Sequence, residues 1–330
     1  MTLQEGEVVK VQLGAQIDGF GAIVGDTVVV GTKSEDATAL PERIRDLLVG
    51  TYYANELLLR LMLPPGLLSL GTDEEKKKAA SVKPYTQTKI NSLLNKVAQA
   101  YGCSVVESTT CWQFDHNEIE AKKKIVLAPG EGVKGEGTPE LGEVWGVELG
   151  LSLGSGKVKS MEKRTTLHRR TTTTYGLKRP SSRQTLSEIV RKFGTFPFSL
   201  RQLEDERAAK IGVVECVRGN VLRQYEVVGD KDGEPVSRLF STVVITKNGL
   251  TRISAPTAID ISKYEKKSKI TDEEVLKILE LPLLRSTGSK GKNKKKKKKQ
   301  KPAAQKPAAT AASEEDSEDD SSEEESSDEE

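Results

Sequence analysis

His116 and His168 are the only imidazoles in a chain of 330 residues, and their neighbours decide what catalysis either could run. Neither lies in a His-Glu-x-x-His pair, near a Gly-x-Ser-x-Gly turn, or beside a cysteine and a third orienting residue, so a Ser/Cys–His hydrolase is not expected. Cys103, Cys111 and Cys216 are odd in number, unclustered and without a Cys-x-x-Cys spacing. They read as reduced, buried thiols rather than a disulfide or zinc framework. The stretches GEGVKGEG (130–137) and GLSLGSGKVK (150–159) carry glycine and lysine but lack the spacing of a phosphate loop, and ordinary loops are expected there.

Binding chemistry is denser. Lys290, Lys292, Lys294, Lys295, Lys296, Lys297, Lys298, Lys299 and Lys301 put nine ammonium groups within twelve residues, enough to neutralise phosphates without reading bases. Nucleic acid is the natural partner, and a nuclear-localisation signal or a solvated run is the plainer alternative. Arg164, Arg169, Arg170, Lys178, Arg179 and Arg183, interleaved with threonines, form a second basic stretch. It reads either as a phosphate-contacting surface or as a solvated basic loop. Ser313, Ser317, Ser321, Ser322, Ser326 and Ser327 sit among Asp and Glu in the pattern that acidophilic kinases prefer. Phosphorylation there is expected to strengthen a fold-back of 313–330 onto the lysine run and compete with RNA, against a plain solubilising tail.

The elements that must position these groups alternate between strands and helices. Residues 7–13, 15–24 and 27–31 read as an antiparallel meander broken at Gly14, Gly25 and Asp26. The three- and four-residue spacing of Ile44, Leu47, Leu48, Ala54, Leu57, Leu58, Leu61 and Met62 predicts a helix from Pro41 to Leu63, and 86–101 predicts a second one after a lysine-rich loop at 72–84. Strands follow at 143–151, 236–246 and 250–254, the last two joined at Lys247–Asn248–Gly249. Between them, 185–193 and 199–218 read as helices of an inserted subdomain. Thr271 and Glu274 suggest a capping box for a helix at 271–279.

Composition sets the limits. The net charge of +2 conceals a tail from Arg285 to Glu330 with 11 basic residues, then 12 acidic ones, and no Val, Ile, Leu, Phe, Trp or Tyr. Such a segment cannot build a core and is expected to be disordered, basic over 290–301 and acidic over 313–330. The most apolar stretch, 57–70, is interrupted by Arg60 and Pro64–Pro65, far short of the roughly 20 residues of a membrane span. The amino terminus has no apolar block typical of a secretory signal, so a cytosolic or nuclear chain without a membrane partner is expected.

The segments VVKVQLGAQIDGF, EVWGVELGL, RTTLHRR, YGLKRPSSR, FPFSLRQLEDERAAKIGVVECV and TVVITKNGLTRIS resemble the proliferation-associated, or curved-DNA-binding, proteins. These belong to the methionine-aminopeptidase-like pita-bread superfamily and include the ErbB-receptor-binding type. The resemblance covers about residues 3–280. It implies an α+β pita-bread domain over 1–284, with an inserted helical subdomain at about 164–222 and the charged tail at 285–330. Enzymes of the superfamily hold two metals with two aspartates, a histidine and two glutamates. On this alignment those positions fall at Gln12, Ile23, Trp112, Glu148 and Phe240, so one ligand of five survives, with His116 four residues beyond Trp112. One carboxylate cannot offset two divalent ions. A metal-free, non-catalytic protein without a cofactor is expected, and Glu148 reads as a half-buried acid satisfied by backbone or water.

Family members are implied to bind ribosomal particles and structured RNA, with DNA as a further target, and to move between nucleolus, nucleus and cytoplasm in ribosome biogenesis and translation control. Two other classes stand beside that reading: a residual metal-dependent methionyl aminopeptidase, and an adaptor or chaperone acting through the acidic end. The resemblance also implies nearly a hundred residues ahead of the strand that opens here at 7–13. An incomplete lobe with an open strand edge and exposed apolar patches in 7–63 is therefore expected.

Overall fold

A computed structural model describes residues 2–31, 37–67, 72–265 and 267–285. The lysine run from Lys290 to Lys301 and the serines from Ser313 to Ser327 lie outside the described residues. The first half of the chain runs β1 (Val8–Ile17), β2 (Phe20–Val29), α1 (Glu42–Leu61), α2 (Asp73–Ala80), α3 (Gln87–Ala100), β3 (Ser104–Val105), β4 (Thr109–Phe114), β5 (Lys124–Leu127) and β6 (Val144–Ser152). Then come β7 (Val158–Ser160), β8 (Leu167–Arg170), α4 (Pro180–Phe193), β9 (Phe198–Ser199), α5 (Glu206–Arg218), β10 (Leu222–Gln224), β11 (Val228–Asp230), β12 (Val236–Thr246), β13 (Gly249–Ser254) and α6 (Glu273–Leu279).

Local chemistry explains the elements and the points where expectation fails. The amino-terminal strands form one hairpin, not a three-strand meander: the turn is at Asp18–Gly19, with φ of 49° and 80°. Asp-Gly adopts this left-handed pair at little cost, whereas Gly14 and Gly25 lie within the strands. The lysine-rich 72–84 segment is not a loop throughout, since α2 occupies 73–80. Its acids come first and its lysines last, which suits the helix dipole. The expected helix over 199–218 is divided. A single 3-10 turn at Leu200–Gln202 precedes α5, whose N-cap Asp205 accepts from Arg207 N and Ala208 N at 2.8 and 3.0 Å. Asp272, rather than Thr271, caps α6 by accepting from Val275 N at 3.0 Å.

The main sheet runs β1-β2-β12-β6-β4-β5, with β13 beside β12 and β3 beside β6. Alternate residues of β6 face opposite sides. Trp145, Val147, Leu149 and Leu151 join Leu57, Leu58, Leu93, Leu94 and Val97 of α1 and α3 in the large core, while Gly146, Glu148 and Gly150 face away from it. The β1–β2 hairpin is tied in by bonds of very long sequence separation. Thr242 Oγ1 accepts from Ile23 N and donates to Ile23 O, both at 2.8 Å, and Thr27 Oγ1 donates to Arg238 O at 2.8 Å. Val11, Leu13, Ile17 and Phe20 of the hairpin remain exposed. Between β7 and β11, β10-β8-β9 form a small sheet, and α4 and α5 share with it a separate core that includes Ile189, Phe198, Val213, Cys216 and Leu222. Among the described residues no helix is long and apolar enough to cross a membrane.

Candidate functional site

The face of the sheet turned away from α1 carries the positions at which metal ligands are implied. Gln12 pairs with Gly25, Gly25 with Phe240, and Phe240 with Glu148, so four strands place these residues in one cross-strand row. On the neighbouring row Ile23 lies opposite Gly14, and Trp112 opposite Gly146. Phe240, Phe114, Ile119 and Phe196 form a buried apolar cluster against which Ile23 and Trp112 pack. Three of the five implied ligand positions thus belong to one apolar cluster.

Glycine makes the rings fit. A Cβ on Gly146 would stand 2.4 Å from Phe114 Cε1, and one on Gly25 would stand 2.8 Å from Phe240 Cβ. The Lys124 ammonium lies 5.3 Å from the Trp112 ring centroid, over its face.

Glu148 is answered by a side chain, not by backbone or water alone. Arg238 Nε lies 2.5 Å from Glu148 Oε1, an ion pair whose N–H is not aligned for a hydrogen bond. Partial desolvation and then repulsion from Arg238 push the ammonium of Lys10, an exposed residue of β1, below its usual range. This donor set, one carboxylate already paired with a guanidinium beside Gln, Ile, Trp and Phe, does not fit a pair of divalent ions. Among the described residues no group of His, Cys, Asp and Glu is placed to hold a metal.

The histidines and thiols have structural surroundings. His116 Nε2 lies 3.0 Å from Asp18 O and its ring 5.2 Å from that of Phe20, so it joins the β1–β2 turn to the β4–β5 connection. His168 is buried against Phe198, and burial pushes its pKa down, which favours the neutral ring. All three cysteines are free and buried. Burial pushes the thiols of Cys103 and Cys111 up to about 12 and that of Cys216 up to about 11.

The basic stretch of the inserted segment divides by exposure. Arg169 is buried, and its guanidinium is committed to Glu118 and Glu120, with Nη2 3.2 Å from Glu120 Oε2. Glu120 also pairs with Arg223 and accepts from Tyr225 Oη at 2.9 Å. Arg169 therefore faces acids of its own chain instead of phosphate. Arg170 is half-buried, and Arg183 Nη1 donates to Leu177 O and Lys178 O at 2.9 Å each. Arg164, Lys178 and Arg179 are exposed. The amides of Lys178 and Arg179 donate to Glu215 at 2.6 and 3.1 Å, which holds that carboxyl below its ordinary range. Arg238, Lys10, Glu118 and Glu120 are not singled out by sequence, because each acquires its role from a strand or loop far along the chain.

No family model matches the chain. The curved DNA-binding protein of Schizosaccharomyces pombe is 34% identical over 299 residues, covering 89% of this chain and 71% of that protein. The ErbB-3 binding protein 1 of Solanum tuberosum is 32% identical over 295 residues, covering 88% and 69%. A solved structure of a thermophilic Arx1 shares 64% sequence identity and superposes with a TM-score of 0.82, covering 86% of this chain and 76% of that one.

Proposed function

Because the chain belongs to the family of the curved DNA-binding and ErbB-3 binding proteins and has the pita-bread fold, we propose that it is a non-catalytic protein that binds ribosomal particles and structured RNA. It serves ribosome biogenesis and translation control, and it moves between nucleolus, nucleus and cytoplasm. The observation that carries the non-catalytic part is the packing of Ile23 and Trp112 against Phe240 where the enzymes need oxygen and nitrogen ligands. No cofactor is required.

Support for RNA as partner comes from charge. Arg164, Lys178 and Arg179 are exposed in the inserted segment, and the sequence adds the nine lysines of 290–301. Lysines give affinity without base readout, so structured RNA within a large particle suits them better than one DNA sequence, although a relative's name refers to curved DNA. The deciding experiment is sedimentation of lysate on gradients at low and high salt. Co-migration with large ribosomal particles at low salt and release at high salt is expected. Sedimentation as free protein at both salts would overturn the reading.

A further inference from the structure

β1 ends the main sheet: it pairs with β2 on one side, and among the described residues no strand pairs with its other edge. Both of its faces are open as well. Lys10, Gln12 and Gln16 are exposed on the face shared with Phe240, and Val11, Leu13, Ala15 and Ile17 are exposed on the α1 side, Leu13 at 65% and Ile17 at 77%. A further strand therefore has room to approach along most of the length of β1.

Exposed edges are commonly blunted by a proline, a bulge, a charge or a very short strand. Of these devices β1 has a single lysine. Its register with β2 runs unbroken through ten pairs, and residues 8–17 hold no proline and no charge besides Lys10. The two-residue turn at Asp18–Gly19 makes Ile17 and Phe20 the hydrogen-bonded pair beside it. Odd-numbered residues of β1 thus bond to β2 through their amides and carbonyls, while Lys10, Gln12, Gly14 and Gln16 direct theirs outward. The bond from Val30 N to Glu7 O, at 2.9 Å, continues the same alternation.

We propose that two copies of this chain dimerise by antiparallel pairing of their β1 edges about a twofold axis at Leu13. Leu13 then faces Leu13 of the partner subunit, Val11 faces Ala15 of the partner subunit, and Val9 faces Ile17 of the partner subunit. Apolar side chains meet one another on the α1 side, the kind of cross-strand pair that stabilises a sheet. On the opposite face Lys10 meets Gln16 of the partner subunit, and Gln12 meets Gly14 of the partner subunit. This register joins the outward amides and carbonyls of the two strands and gives the one charge a neutral amide. A register centred on Lys10 would set two ammonium groups opposite each other. The twofold contact is closed, so association stops at two copies instead of growing into a filament. It does not rest on the RNA reading, since none of the basic residues argued there lies in β1.

The test is light scattering of the full 330-residue chain over a dilution series under reducing conditions. A mass of twice the 36.0 kDa chain, falling to a single chain on dilution, is expected. Gln12→Pro removes an outward amide without taking a bond from β2, the one place in a strand where proline is tolerated, and should weaken the dimer at least tenfold. Leu13→Lys, at an exposed position, sets two charges on the axis and should do the same should Gln12→Pro fold poorly. Leu13→Cys supplies a positive signal, because residues opposite each other in a non-hydrogen-bonded pair have Cα atoms about 4.5 Å apart, within reach of a disulfide. Mild oxidation should cross-link it into dimers, while Val28→Cys, also exposed but on β2, should stay a single chain. A single-chain mass at every concentration, a dimer unchanged by both Gln12→Pro and Leu13→Lys, or equal cross-linking of the two cysteine variants would overturn the proposal.

Discussion

Arg169 and Glu120 stand 49 residues apart in sequence and meet with Nη2 3.2 Å from Oε2, while only 9% and 11% of their side chains remain exposed. The contact joins β8 of the inserted segment to the β4–β5 connection of the main sheet, and Glu118, Arg223 and Tyr225 complete it.

Glu120→Ala leaves Arg169 without its deeper acid and frees Arg223 and Tyr225 as well. Removing one partner of a buried pair costs about 3–5 kcal/mol, so the denaturant midpoint should fall. Amide exchange should accelerate in α4 and α5 more than in β6. Equal exchange in both regions would show that this contact does not fasten the inserted segment.

Metal should be absent from the purified protein. After dialysis against cobalt or manganese, elemental analysis is expected to find no stoichiometric ion, and peptides should keep their amino-terminal methionine. Chelator-sensitive turnover that disappears in Glu148→Ala would contradict the assignment of the apolar-filled face.

Replacing Lys294 to Lys299 by alanine should weaken RNA binding for all sequences alike. Each single-strand phosphate contact contributes about 0.7 to the salt slope, so loss of six should lower the slope by about four. A slope that stays the same moves the contact to Arg164, Lys178 and Arg179.

The buried thiols set a pH limit. Their folded pKa values, about 12 for Cys103 and Cys111 and about 11 for Cys216, lie above the reference of 9.0. Between those values the native state holds protons that the unfolded state releases, so stability is full below about pH 9 and declines as pH rises toward 12. Urea midpoints across that window should fall, and less steeply in Cys111→Ala. At pH 8 a disulfide reagent should label the thiols only as fast as the chain opens.

Legibility from sequence follows the range of the interaction involved. The helices α1 and α3 are readable within two residues because their apolar spacing is local. The hairpin turn at Asp18–Gly19 is local too, yet Gly14 and Gly25 compete with it as breaks. They lie mid-strand, and at Gly25 the close packing of Phe240 excludes a side chain. The strands β4 and β5 escape the pattern, being only six and four residues long. Phe240 is singled out only through the family resemblance, its pairing with Glu148 belongs to the sheet register, and nothing local marks Phe114 or Phe196 as its aromatic partners. Arg169 reads as exposed because it sits in a basic run; nothing nearby in sequence reveals its acids.

The bonds between Ile23 and Thr242 span 219 residues, which imposes a delay during synthesis. At about 5–20 residues per second, a ribosome needs roughly 10–40 s between releasing the first of these residues and the second. Throughout that interval β1 and β2 have each other but not β12, and their apolar side chains face whatever surrounds the growing polypeptide. The interval, rather than the finished stability, is when the protein most needs a holding factor. A circular permutant that brings 236–254 ahead of residue 8 should shorten this dependence and raise soluble yield in a translation system stripped of chaperones.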